Sequence, residues 1–205
     1  MPMMNDRQYR SLILAAPTQE EKKNKFDSDC YVEGYAAKYE PYLLYKSGSY
    51  EVWEEFVPGC FNGCDMSDVI FQFDHAGRVY ARQSNNTMTV EADKIGLFVC
   101  ADLSKTSGSR GMYEDIKTEL VTKMSWGFKT DRKTLEIIEQ GDRITFRHHH
   151  IEKIYDVSAV SIPANNNTEI QARNFANGAI DKFMGEIQKR KNHIKKIRLL
   201  LEVTK

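Results

Sequence analysis

The 205-residue chain lacks the features that would place it in a membrane or on nucleic acid. No apolar run approaches the roughly 20 residues that a membrane-spanning helix needs. Its first residues carry neither the basic start nor the apolar stretch of a secretory signal, so we expect a cytoplasmic protein. Basic and acidic residues balance at 29 each, and this absence of net charge gives no sign of nucleic acid or an anionic membrane as partner.

Cysteine is also scarce, with only Cys30, Cys60, Cys64 and Cys100 present. In a reducing compartment we expect free thiols rather than disulfides. Cys60 and Cys64 precede His75, but a structural zinc site usually needs a second close pair of ligands, so we expect neither a metal nor a cofactor. A cysteine hydrolase is a further hypothesis, although none of the four thiols lies in a recognisable nucleophile turn.

The chain is rich in short stretches in which apolar and polar residues alternate, the pattern of β-strands. Such stretches cover residues 31–37, 50–56, 69–75, 87–91, 97–101, 124–128, 135–138, 143–146 and 155–162. Turn residues at 93–96 and 140–142 predict two hairpins, and Pro163 ends the last strand. The pattern predicts a mostly β (α+β) domain, an antiparallel barrel or sandwich.

One helix interrupts the strands. Residues 107–109, Ser-Gly-Ser, offer capping groups for its start. Tyr113, Ile116 and Leu120 follow at helical spacing and predict one buried side.

The two ends of the chain differ from this central pattern. Residues 19–25 are polar and lack apolar periodicity, as in a surface loop, and we expect residues 5–27 to belong to a peripheral N-terminal segment over residues 1–29. The main domain is expected over residues 30–173. Residues 174–205 have apolar residues at roughly helical spacing and more lysine and arginine than acid. They predict a basic amphipathic helical extension that packs on its own domain or a second copy, or contacts another surface.

Three polar residues stand near predicted strand ends or among small and aromatic neighbours. His75 ends an apolar strand before a turn at residues 76–78, Ser125 lies in an aromatic, glycine-containing strand, and Asp156 interrupts the last strand. On alternation, Met124, Trp126 and Phe128 face the core, and Ser125 and Gly127 face the other way, toward a possible cleft. A serine hydroxyl needs a neighbouring base to attack, and the base needs a third group to fix its tautomer. These residue types can supply those roles.

These motifs, in this order, resemble the prohead proteases of tailed bacteriophages, which mature viral capsids. The resemblance covers about residues 30–173. It is carried by Phe73-Asp74-His75, residues 124–128, residues 155–160 running into 162–164, the stretch 54–61 with its Pro-Gly-x-Phe-like end, Gly96-Leu97-Phe98, and residues 111–121.

The resemblance implies a fold similar to that of herpesvirus assembly proteases, a small antiparallel β-barrel surrounded by helices. It implies a serine endopeptidase with His75 as base and Ser125 as nucleophile. The third member in the phage family is usually glutamate, and here the matching residue is the shorter Asp156. His148, His149 and His150 are the alternative third member, because the herpesvirus relatives use histidine.

The resemblance also implies substrates, partners and place. The enzyme would act inside the immature capsid, or prohead, in the bacterial host cytoplasm. It would cleave scaffolding protein or the scaffold-like arm of the major capsid protein, and itself. A homodimer is possible by analogy with the herpesvirus relatives, and neither nucleic acid nor membrane is expected as a partner. Residues 163–165 are a candidate for oxyanion binding. The alternative hypothesis is an inactive, protease-like module for capsid assembly.

Overall fold

The computed structural model describes residues 8–15 and 25–161, with the backbone alone for residues 8–15 and Ser47. The strands are β1 Gln8–Ala15, β2 Tyr31–Lys38, β3 Tyr42–Ser47, β4 Tyr50–Phe56, β5 Ile70–Phe73, β6 Ala76–Arg82, β7 Met88–Ala92, β8 Gly96–Asp102, β9 Lys123–Thr130, β10 Leu135–Gln140, β11 Arg143–His148 and β12 Ile151–Val160. The helix α1 spans Ser107–Lys117, and a 3-10 turn covers Gln83–Asn85.

The strands form two sheets. One has eight strands in the order β6-β5-β12-β9-β1-β2-β8-β7, and the other has four in the order β10-β11-β4-β3. The predicted hairpins β7–β8 and β10–β11 are confirmed. The pairs β12–β5 and β11–β4 are parallel. Each joins strands that are distant along the chain, as parallel pairing requires a long connection.

The expected small antiparallel barrel surrounded by helices is not found among the described residues. The larger sheet ends at β6 on one side and β7 on the other, and both sheets are mixed rather than purely antiparallel. One α-helix is present in this part of the chain. The mostly β (α+β) class is compatible with the structure, and kinship with the herpesvirus fold stays a prediction.

The N-terminal segment is not peripheral where the structure describes it. Residues 8–15 form β1, which lies between β9 and β2 in the larger sheet. Its sequence is apolar without alternation from Leu12 to Ala15, as in many central strands, and a search for alternation misses such a run. The boundary at residue 30 stays a prediction, and the predicted helix over 174–205 lies outside the described residues.

The core lies where aromatic side chains of the two sheets meet. Trp126 and Phe128 of β9 are fully buried and stack with ring centroids 4.1 Å apart. Phe56 of β4, in the smaller sheet, lies 5.3 Å from Trp126 and 5.6 Å from Phe128 between centroids. Met124 is buried beside them, so the predicted inward face of β9 is confirmed. This packing fixes which side of the sheet Ser125 occupies.

The N-cap of helix α1 lies one residue before the predicted capping stretch of residues 107–109. Thr106 is its N-cap, and its hydroxyl accepts a hydrogen bond from the Ser109 N–H at 3.0 Å. The buried Ser109 hydroxyl in turn donates to the Tyr80 carbonyl at 2.7 Å, which ties the helix to β6. The prediction for Leu120 is wrong: it lies beyond the helix and is 76% exposed, because Glu119 turns the chain with φ of 61°.

A glycine of the β2–β8 pairing offers a stability prediction. A Cβ on Gly96 would lie 2.0 Å from the Ala37 carbonyl oxygen and 2.8 Å from the Lys38 Cα, both backbone atoms that cannot rotate away. We expect Gly96→Ala to lower the free energy of unfolding by about 1–3 kcal/mol. Gly111, in α1, is the matched control: a Cβ there meets nothing within 4 Å. Gly111→Ala should raise the free energy of unfolding by about 0.5–1 kcal/mol. Urea unfolding of both variants checks this, and equal stabilities would contradict it.

Candidate active site

Ser125 lies in the middle of β9, with strands on both sides. It pairs with Ser11 of β1 and Ser158 of β12. Its side chain points away from the Trp126 face, as predicted, and the residue is 2% exposed, so a cleft on this small-residue face stays a prediction. Because both neighbours are antiparallel strands, the Ser125 N–H belongs to the sheet ladder. Oxyanion donors must therefore come from another segment. Residues 163–165, the candidate, lie outside the described part of the chain.

His75 lies in a tight turn and not at the end of an alternating strand. β5 ends at Phe73, which pairs with Ala76, so Asp74 and His75 form a two-residue hairpin loop. Their φ angles are 46° and 57°, the left-handed values of a type I′ turn. The expectation that residues 76–78 form a turn is wrong, because they open β6. Alternation predicts His75 on the strand, whereas the structure places it in the loop.

Asp74 holds this turn against the end of β12. Its carboxylate accepts hydrogen bonds from the Ser161 N–H at 3.0 Å and the Ser161 hydroxyl at 2.9 Å. Its own N–H donates to the Ala159 carbonyl at 2.9 Å. Aspartate is among the few non-glycine residues that tolerate left-handed backbone. The turn that carries His75 is thus attached to the strand that carries Asp156.

Asp156 reaches the site because β12 contains a bulge. Ile154 lies opposite Phe128, but Asp156 lies opposite Gly127, so Tyr155 is an extra residue on β12. Without it, Asp156 would share the core face with Ile154. One inserted residue moves every following side chain to the other face. The bulge therefore places Asp156 on the same side of the sheet as Ser125.

The structure brings the three predicted residues into one hydrogen-bonded chain. His75 Nδ1 lies 2.5 Å from Asp156 Oδ1, and His75 Nε2 lies 2.7 Å from Ser125 Oγ. The Asp156 side chain is fully buried, whereas 17% of the His75 side chain is exposed. Aspartate is long enough here despite the missing methylene. The geometry suits proton transfer from the hydroxyl to the imidazole.

The three consecutive histidines at 148–150 contact other groups. His148 is buried, with Nδ1 2.8 Å from Thr130 Oγ1 and Nε2 2.9 Å from Glu54 Oε1. His149 is exposed and pairs with a glutamate of β10. The carbonyl of His150 accepts a hydrogen bond from the Asp131 N–H. Of the proposed third members, Asp156 is thus the one that the structure shows against His75.

The Thr130–His148–Glu54 cluster has the chemical groups of a catalytic triad but is buried. A hydroxyl (Thr130), an imidazole (His148) and a carboxylate (Glu54) are in contact, but all three residues are buried. The Phe56 ring stacks on the imidazole at 4.8 Å between centroids. The Tyr42 hydroxyl also donates to Glu54. Identical chemical groups therefore occur twice, and partial exposure of the imidazole distinguishes the His75 set.

The cysteine and zinc hypotheses gain no support. Burial raises the pKa of Cys60 and of Cys64 to about 12, and also raises the pKa of Cys30 and of Cys100. A thiol with a raised pKa carries little thiolate, the nucleophilic and metal-binding form. Over residues 25–161, no three side chains of His, Cys, Asp or Glu are grouped to hold a metal ion.

Comparison with known families adds an independent observation. The model of the caudovirus prohead serine proteases matches residues 17–182, well over half of the chain. The chain belongs to this family. The match includes His75, Ser125 and Asp156, and it confirms the resemblance at the level of the family. Membership supports a serine peptidase of phage capsid maturation, with phage capsid proteins as substrates and the procapsid in the host cytoplasm as the place of action.

Further comparisons add nothing to the family assignment. No curated protein and no solved structure matches the chain. In the part of the chain that the structure describes, no helix is long and apolar enough to span a membrane.

Proposed function

We propose that this chain is the maturation endopeptidase of a phage prohead, with Ser125 as nucleophile, His75 as general base and Asp156 as the third member. It cleaves scaffolding protein or the scaffold-like arm of the major capsid protein, and it cleaves itself. The observation that carries the proposal is the pair of contacts of His75, 2.7 Å to Ser125 Oγ and 2.5 Å to Asp156 Oδ1. Family membership supplies the substrate class.

The proposed reaction begins when Ser125 Oγ attacks the carbonyl carbon of a scissile peptide bond. His75 Nε2 accepts the hydroxyl proton as the new C–O bond forms. The tetrahedral intermediate collapses, the C–N bond breaks, and His75 returns that proton to the departing amine. Water then attacks the acyl-enzyme by the same route and frees Ser125.

Asp156 acts on the orientation and charge of the imidazole. Its carboxylate accepts the Nδ1–H of His75, which leaves Nε2 free to accept the serine proton. Because the Asp156 side chain is fully buried, its charge acts on the imidazolium with little screening by water. The developing oxyanion needs N–H donors, each worth about 3–4 kcal/mol in other hydrolases.

A direct test uses the purified chain and proheads assembled from the capsid and scaffolding proteins of the same phage. We expect shortened capsid-related products on a gel, and prior treatment with a fluorophosphonate should abolish them. A metal chelator and a thiol-alkylating reagent should leave the products unchanged. Loss of product with the chelator or the alkylating reagent would support the zinc or the cysteine hypothesis. Proteins of unchanged length throughout would instead support the inactive assembly module.

A further inference from the structure

A fourth polar residue, Ser158, contacts the proposed catalytic carboxylate. It lies on β12 two residues after Asp156, and it is fully buried. Its hydroxyl donates to Asp156 Oδ1 at 2.7 Å. This is the same oxygen that His75 Nδ1 approaches at 2.5 Å. Two donors therefore meet at one carboxylate oxygen.

The sheet explains why Ser158 is next to both the acid and the nucleophile. Residues two apart in a strand share a face, so Asp156 and Ser158 project to the same side after the bulge. Ser158 is also the direct cross-strand partner of Ser125 on β9. Cβ atoms of such partners are about 4.5–5.5 Å apart. Ser158 thus borders the site from the strand next to Ser125.

We propose that Ser158 is a positioning residue that fixes the rotamer of Asp156, an inference that rests on the proposed function. An aspartate side chain can turn about two bonds, and each rotation moves Oδ1 away from the imidazole. The hydrogen bond from the Ser158 hydroxyl to Oδ1 opposes both rotations. Asp156 then presents the acceptor that keeps the proton of His75 on Nδ1, and Nε2 stays free for Ser125.

The natural cleavage sequence is not needed to measure this effect, because a fluorophosphonate reports activation of the serine. Ser125 Oγ bonds to phosphorus, the P–F bond breaks, fluoride leaves and His75 takes the hydroxyl proton. We expect Ser158→Ala to lower the limiting rate of labelling about tenfold or more, as for loss of a hydrogen bond to a charged group. The half-saturating probe concentration should not change, because the Ser158 side chain is fully buried.

The matched control is Ser109→Ala, which removes another fully buried serine hydroxyl, one that donates to the Tyr80 carbonyl. We expect it to change thermal stability and leave the limiting rate within about twofold. A merely structural Ser158 would behave in the same way. A double-mutant cycle adds a second criterion: in an Asp156→Ala background, Ser158→Ala should cause almost no further loss, because the group it acts through is gone.

The outcomes separate this inference from the proposed function. A slower limiting rate in Ser158→Ala that disappears in the Asp156→Ala background supports the positioning role. An unchanged rate in Ser158→Ala, or an equal loss with and without Asp156, overturns that role and leaves the proposed function intact as long as Ser125→Ala is not labelled. Labelling of Ser125→Ala at the unmodified rate would overturn both.

Discussion

Ser125→Ala and His75→Ala are each expected to slow cleavage of capsid protein by about 10⁶-fold, and the double variant to be no slower than either. The reason is that Ser125 Oγ and His75 Nε2 lie 2.7 Å apart and share one proton, which passes from the hydroxyl to the imidazole during the reaction. Without His75 the hydroxyl has no base, and without Ser125 the base has no nucleophile to activate. Their effects on the activation free energy should therefore not add.

The measurement is the timed appearance of shortened capsid protein. His149→Ala is the matched control for the histidine, because His149 is exposed and pairs with Glu136 rather than with the site. It should cleave at the unmodified rate. Each variant should keep its unfolding midpoint to within a few degrees, which excludes loss of the fold as the cause. Substantial cleavage by Ser125→Ala, or additive losses in the double variant, would contradict the assignment.

Asp156→Asn is expected to lower the cleavage rate by about 10⁴-fold, the size of effect found for the matching exchange in a serine protease. The carboxylate accepts the Nδ1–H of His75, whereas the amide N–H₂ of asparagine would donate to Nδ1. The proton then resides on Nε2, which can no longer accept from Ser125. The shape of the side chain is almost unchanged, so the loss reports the tautomer and not the packing.

The control for this variant replaces Glu54, the buried carboxylate of the Thr130–His148–Glu54 cluster. Glu54→Gln removes a carboxylate in contact with His148, away from His75. It is expected to lower stability, because Glu54 also accepts from Tyr42 within the core. Its cleavage rate, measured below its unfolding midpoint, should be that of the unmodified chain. A rate within tenfold of normal for Asp156→Asn would contradict the role of Asp156.

Local features of the fold could be predicted from sequence, whereas long-range ones could not. The hairpins β7–β8 and β10–β11 depend on turn residues between neighbouring strands, and both were predicted. The position of β1 between β9 and β2 depends in part on its pairing with β9, which lies more than a hundred residues later in the chain. Alternation reports the burial of one strand and carries no information about its neighbours.

The site shows the same division. Ser125, His75 and Asp156 were predicted from residue type and family motif, and the structure brings them together. Their actual placement depends on two irregularities, the left-handed turn at Asp74 and His75 and the bulge at Tyr155. Neither follows from alternation, which put His75 on a strand. Ser158 was missed because a serine in a strand has no distinctive pattern until its partner is known.

The central claim is that Ser125 is the nucleophile, activated by His75. The most direct test is to label the folded protein with a fluorophosphonate, digest it and identify the modified residue by mass spectrometry. We expect one phosphonylated residue, Ser125, and no modification once His75 is replaced by alanine. A label on any other residue, or a label on Ser125 that forms equally fast without His75, would contradict it.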